Sequence, residues 1–301
     1  MRILYLSSGS APDYLCDMIF HGLREHFGPD VVDLNRLAYM YKGAELKDLY
    51  GKGFTLYGLI EEGEVDRSDI PAKIEARYFD LVIFGSIQRC HELVYNVISS
   101  YPKEKIVFLD GEDNPLYLRD LPKHGLYFKR ELHTPQPQVF PIQFSIPEEK
   151  IVAASRKGPL MAPLDPLNPA TYIYENEEEY YDSYRSALFG KTMKKAGWDC
   201  LRHYEIMACE CIPYFENLEF CPPTVMINLP KQELLIAKLL FDYQGIDIFH
   251  RASGRELWAD LMARIGQTLK EKLTTKAMAK YVIDMAWVQQ AKTVANEIAY
   301  A

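Results

Sequence analysis

Residues 194–217, KKAGWDCLRHYEIMACECIPYFEN, concentrate the reactive side chains of this chain. Two lysines, a tryptophan, an aspartate, an arginine, a histidine and a glutamate fall within residues 194–205, and an apolar run with Cys209 and Cys211 follows. Soft metal ligation is one chemistry open to Cys200, His203, Cys209, Cys211 and Cys221. Structural zinc sites normally draw on C-x-x-C knuckles in tight loops, and the chain has no C-x-x-C pair. Small buried thiols pack as apolar groups, so the cysteines are read as core and no metal is expected. Leu201, Met207, Ala208 and Ile212 fit a helix packed on a sheet.

Lys194, Lys195, Trp198, Asp199, Arg202, His203 and Glu205 fit packing less easily. They crowd a turn that leads from a strand into a helix. Such a crowd is either a solvated face or an anion site. Helix N-termini favour anions through free backbone N–H groups and the helix dipole, and lysines just before the helix add positive charge. A glutamate further along accepts two hydrogen bonds from a ribose diol, as acidic residues do in dinucleotide sites. The combination suits the diphosphate and ribose of a nucleotide.

The elements that must position these residues read as α/β. RILYLSSG, DVVDLN, FDLVIFGSI and KIVFLDGED are strand-like runs. APDYLCDMIFHGLREHFG and HELVYNVISSY read as helices between them, and PLYLRDLPKHG as a short one. LYFKREL and QVFPIQFSI look like two further strands. Strands alternating with helices make a parallel sheet covered on both faces. The order of residues 37–70 does not follow from the sequence. A proline- and lysine-rich crossing, residues 146–169, has room for a strand at KIVAAS. A second unit follows: a helix at NEEEYYDSYRSA, a strand at LFGKTM, a helix at WDCLRHYEIMACE, strands at CIPYF and PPTVMINLP, and a helix at KQELLIAKLLFDYQ. Ser253 and Glu256 form a capping-box pattern before a helix whose apolar face is Leu257, Leu261, Ile265 and Leu269. The expected architecture is two Rossmann-like units, residues 1–147 and 148–301, facing a cleft.

In such sheets ligands sit at the carboxyl ends of strands. Those ends are SSGSAPD, GSIQRC and DGEDNP. Gly9, Ser10, Gly85 and Ser86 are therefore candidates for a loop facing an acceptor. Asp13 is either a helix cap or a general base. Asp113 is read first as the N-cap of the next helix and second as a catalytic residue. Lys129 and Arg130 alternate faces on a plain strand, and a strand ending at the cleft lets one of them clamp a phosphate. His91 and His133 stand alone in the sequence.

The chain has 301 residues, 25% of them charged, with a net charge of −8. This disfavours a nucleic-acid-coating surface. No apolar run reaches the roughly 18 residues of a membrane span, and the opening MRILYLSS enters a strand without a leader pattern. The expectation is a cytoplasmic protein with reduced thiols. SSGSAPD is not G-x-G-x-x-G, which argues against a dehydrogenase.

RHYEIMACECIPYF resembles the nucleotide-binding segment of GT-B glycosyltransferases, where a stretch of the type xEAMACGxPVV ends a helix and enters a strand. FGKTMKKAGWDCLRHYEI, with YIYENEEEYYDSYRSALFG and LYFKREL upstream, is similar to the exostosin-like and spore-maturation-type group. The resemblance implies a metal-independent hexosyl- or pentosyltransferase using a nucleotide-sugar, by analogy a UDP-sugar, with no cofactor. It places Glu205 on the ribose, with Lys129, Arg130, Lys194, Lys195, Trp198, Asp199, Arg202 and His203 around the donor, and lets the last helix pack back on the first unit. The acceptor is a glycan, a protein or a modified nucleic-acid base, the last disfavoured by net charge. Two positions depart from the family pattern. Many members carry a second glutamate where Gly197 stands, and a glycine where Glu210 stands. A protein that binds nucleotide-sugar without transferring it is the alternative.

Overall fold

The computed structural model describes residues 1–155, 158–244 and 251–299. Its larger sheet has six parallel strands: β1 (Ile3–Leu6), β2 (Val31–Asp33), β3 (Leu81–Phe84), β4 (Ile106–Asp110), β5 (Leu126–Lys129) and β6 (Val139–Pro141). The spatial order is β2-β1-β3-β4-β5-β6. The chain leaves β1 toward one side for β2 and returns to the other side for β3. That reversal opens a crevice above the carboxyl ends of β1 and β3.

β1 explains why the sheet is covered on both faces. Ile3 and Tyr5 belong to one buried cluster, Leu4 and Leu6 to another. Successive side chains of a strand point to opposite faces, so an unbroken apolar run demands cover on each. One face carries α2 (Ile70–Glu75) and α3 (Val94–Ser100). The other carries α1 (Tyr14–Phe27) and the last helix, α8 (Thr275–Ala299).

α8 lies unusually close to α1. A Cβ built on Gly22 would come within 2.0 Å of the Thr275 carbonyl oxygen, so only glycine permits the approach. His21 Nδ1 meets Thr275 Oγ1 at 2.9 Å, and the Tyr281 hydroxyl donates to the Pro141 carbonyl at 3.1 Å.

The smaller sheet has two parallel strands, β7 (Phe189–Met193) and β8 (Ile212–Glu216), joined by α5 (Leu201–Ala208). α4 (Glu177–Arg185) precedes it; α6 (Lys231–Gln244) and α7 (Ala252–Lys272) follow. The large apolar cluster runs without a break from α1 through Phe144 and Trp198 to β7, β8 and α7.

Several expectations need correction. KIVAAS and PPTVMINLP form no strand. The first is tied down instead by single bonds from Val152 N to the Ala208 carbonyl and from Ala154 N to the Glu210 carboxylate. PLYLRDLPKHG contains only a 3-10 turn, Leu121–Lys123, so Asp113 caps no helix. α7 begins one residue before Ser253, with Arg251 at its N-cap position, so Ser253 lies inside the helix. Trp258, not Leu257, lies on its buried face, and Leu257 is exposed.

Candidate functional site

The turn from β7 into α5 carries three cations. Lys195 Nζ and Arg202 Nη2 each donate to the Tyr172 hydroxyl, both at 3.0 Å. Both cations also lie over the Tyr172 ring, at 5.4 and 5.2 Å from its centroid. Lys194 lies over the Trp198 ring at 5.2 Å. No carboxylate within salt-bridge distance pairs with any of the three among the described residues. Burial raises the Tyr172 hydroxyl pKa, but the Lys195 hydrogen bond and the Arg202 charge outweigh it and leave the group lowered. α5 begins here with Cys200 at its N-cap, and that side chain makes no cap bond. The first amides of α5, Lys195 and the Arg202 guanidinium therefore gather at one end of the helix, an arrangement that attracts anions.

Glu205 sits one helical turn beyond Arg202, on the same side of α5. It is buried, and both carboxylate oxygens are taken. Oε1 accepts from Thr55 Oγ1 at 2.6 Å and Oε2 from the Tyr180 hydroxyl at 2.5 Å. Thr55 Oγ1 also meets the Tyr181 hydroxyl at 2.9 Å. Burial raises the Glu205 pKa despite these two bonds and the nearby Arg202 charge. One hydroxyl on each carboxylate oxygen is the bond set that a vicinal diol makes.

The other residues expected at a donor are committed to the protein. Lys129 and Arg130 do not alternate between cleft and solvent, because β5 ends at Lys129 and the chain turns. Both are fully buried. Lys129 pairs with Asp110 at 2.7 Å and donates to the Glu112 carbonyl at 3.1 Å; burial lowers its pKa although Asp110 opposes this. Arg130 bonds the Gly111 carbonyl at 3.0 Å, Glu131 at 3.2 Å, the Asp199 carbonyl at 2.6 Å, and the Asp113 carboxylate. It thereby ties the end of β5 to the loop before α5. Asp199 accepts from Phe144 N at 2.6 Å and the Tyr204 hydroxyl at 2.9 Å; burial pushes its carboxyl up to about 6 against the pull of Arg130. His203 is buried between Thr192 Oγ1 at 2.8 Å and the Trp198 carbonyl at 2.9 Å. A carbonyl only accepts, so Nε2 carries the proton and Nδ1 accepts from Thr192. Burial pushes this imidazole down to about 3, so it stays neutral.

Gly197 is pressed between the two halves of the chain. A Cβ there would come within 2.6 Å of Glu131 Oε1 and 3.0 Å of Asp113 Oδ1. Glu210 keeps the backbone that glycine favours. Its φ is +49°, its N–H bonds the Met207 carbonyl at 3.0 Å, and Cys211 N bonds the Ile206 carbonyl at 3.2 Å. This is a Schellman turn with glutamate at the left-handed position, and the Ala154 bond occupies its carboxylate.

Above the crevice, Asp13 caps α1 through Cys16 N at 3.4 Å, accepts from Ser86 Oγ at 2.6 Å, and pairs with Arg89 at 3.4 Å. Arg89 also pairs with Glu112 at 2.8 Å. Gly9 has φ +64° and abuts Asn35; Ser10 bonds Ser8 at the surface; a Cβ on Gly85 would strike the Tyr5 ring. Asp113 is half-exposed and holds Arg130. His133 is not alone: its Nε2 meets Glu131 Oε2 at 3.1 Å. Asp13 thus comes together with Ser86, and Asp113 with Arg130, Gly197 and Glu131, as separate groups.

Sequence reading missed Thr55, Tyr172, Tyr180 and Tyr181. The spacing of Tyr180, Tyr181 and Tyr184 on a helix marks an aromatic face, which was a usable signal. Nothing local marks Thr55, which reaches Glu205 across 150 residues.

Among the described residues no group of three or more His, Cys, Asp or Glu is placed to hold a metal ion, and no helix is long and apolar enough to cross a membrane. Compared with known proteins, the chain matches no family model, and no curated protein matches it in sequence.

Proposed function

We propose that the chain is a glycosyltransferase of the GT-B type, moving a sugar from a nucleotide-sugar, in the first instance a UDP-sugar, to an acceptor hydroxyl. The observation that carries this reading is the convergence of Lys195 and Arg202 on one neutral oxygen at the start of α5. Two cations sharing a hydroxyl are poorly compensated, and a diphosphate is a far stronger acceptor for both. In the transfer step the sugar–phosphate bond breaks and the leaving diphosphate gains charge. Preorganised cations and helix amides stabilise that gain more than they stabilise the ground state. Glu205, one turn further on, supplies two acceptor oxygens for a ribose diol. Asp13, above the crevice of the larger sheet, is the base this reading offers for the acceptor hydroxyl.

Hydrolysis of UDP-glucose and UDP-N-acetylglucosamine, with and without EDTA, tests the proposal, together with calorimetric titration of UDP. Turnover insensitive to EDTA and lost in Arg202→Ala and Glu205→Ala is expected. No binding or turnover of any nucleotide-sugar would sink it.

A second reading, binding without transfer, draws on Gly197. The space beside it is filled by Glu131 and Asp113, so no side chain from position 197 reaches a sugar. It expects UDP-sugar binding with no product.

A further inference from the structure

Thr55 has a backbone that its side chain resists. Its φ is +73°, and Leu56 N bonds the Phe54 carbonyl at 2.9 Å. A two-residue bond around a residue at that φ is the γ-turn of the strained hand. A β-branched residue at positive φ is a genuine outlier. Such strain persists only where the surroundings enforce it.

The enforcing contacts all come from the smaller-sheet half of the chain. Thr55 N donates to Glu177 Oε1 at 2.8 Å. Its hydroxyl is shared by Glu205 and Tyr181. Nearby, Lys52 pairs with Glu175 at 2.6 Å and donates to the Tyr174 carbonyl at 3.0 Å. Gly51, Lys52, Gly53 and Gly58 also have positive φ, so the segment has points on either side of Thr55 where the backbone turns freely at glycine. Tyr181 and Glu177 also line a cavity of about 220 Å³, which leaves room beside the contact.

We propose that the strained turn at Thr55 is a built-in plug. In the closed state Thr55 takes Oε1 of Glu205 and Tyr180 takes Oε2; a ribose hydroxyl gains Oε1 only when Thr55 leaves and shares Oε2 with Tyr180, and the γ-turn is held under strain by the Thr55 bond. A nucleotide entering along α5 replaces the Thr55 hydroxyl on Glu205. The turn at Thr55 then relaxes, while Leu56 and Tyr57 stay anchored in the core. No covalent bond changes; one hydroxyl is exchanged for another on the same carboxylate. The plug rests on the reading of Glu205 as the ribose-binding residue.

Two measurements test it. UDP is titrated into wild type, Thr55→Ser and Thr55→Ala, and amide hydrogen exchange of residues 51–58 is followed with and without UDP. Thr55→Ala should bind UDP roughly tenfold more tightly, Thr55→Ser like wild type, and UDP should speed exchange of the segment in wild type. UDP binding equally to all three proteins, with exchange of the segment unchanged, overturns the plug and leaves the donor site standing. Failure of all three to bind UDP overturns the donor reading, and the plug with it.

Discussion

Lys195 and Arg202 hold a single oxygen between them, the Tyr172 hydroxyl, each from 3.0 Å. The two cations are seven residues apart in sequence, on opposite sides of the start of α5. Replacing each should weaken UDP binding without unfolding the protein. A charged hydrogen bond contributes about 1.5–3 kcal/mol when desolvated. Lys195 is exposed, so Lys195→Ala should cost about tenfold in affinity; the more enclosed Arg202 should cost up to about a hundredfold as Arg202→Ala. Tyr172→Phe should change UDP affinity less than either, because the ligand itself replaces the hydroxyl. Calorimetric titration at low and high salt checks the series.

His203 should make the fold acid-sensitive. Its folded pKa is about 3 against an ordinary 6.5, pushed down by burial. Between those values the unfolded chain binds a proton that the folded chain refuses, so stability falls as pH drops through this window. The contribution is intact above about 6.5. The stability difference between wild type and His203→Gln, measured by urea unfolding, should shrink by about 2 kcal/mol between pH 7 and pH 5. A difference that stays constant over that range would mean the imidazole is not held neutral. Asp199 works in the opposite sense: its carboxyl is raised to about 6, so its contribution is full below about 3.8 and lost as pH rises toward 6.

Gly197→Ala should destabilise by about 1–3 kcal/mol, the usual cost of overpacking. The new methyl would meet the Glu131 carboxylate at 2.6 Å, and that carboxylate is fixed by Arg130 and by Asp199 N. Gly266→Ala is the matched control. Gly266 lies inside α7 with nothing within 4 Å of the added methyl, so it should stabilise by up to about 1 kcal/mol. Thermal midpoints moving in opposite directions confirm the pair.

Gly22→Ala should cost about 3 kcal/mol, the upper part of the overpacking range. The methyl would run into the Thr275 backbone rather than a flexible side chain, so α8 has to move off α1 as a unit. Faster amide exchange across α8 in the variant is the expected signature.

The larger sheet was legible because its strands are buried on both faces. Ile3–Leu6, Leu81–Phe84 and Ile106–Asp110 are fully buried runs, and such runs declare themselves without context. α1 was legible through its cap, Asp13, and its stop, Gly28. KIVAAS carries the same apolar signal, but its backbone makes isolated bonds to Ala208, Glu210 and Arg185 rather than a strand ladder, and pairing is not encoded locally. At the candidate site the charged turn was legible by composition. What occupies Glu205 was not. Thr55 comes from the stretch whose order the sequence left open, and its strained turn exists only because Glu177, Tyr181 and Glu205 hold it. Lys129 and Arg130 were misplaced for a similar reason: strand alternation breaks down one residue after the strand ends.

The close crossing of α1 and α8 has a consequence for the order of synthesis. His21 and Thr275 are 254 residues apart. At about 5–20 residues per second, α1 waits roughly ten to fifty seconds on the ribosome before its covering helix exists. During that interval the apolar face that α8 will cover is open to chaperones or to neighbouring chains. The first sheet to be translated is thus among the last parts of the molecule to be sealed.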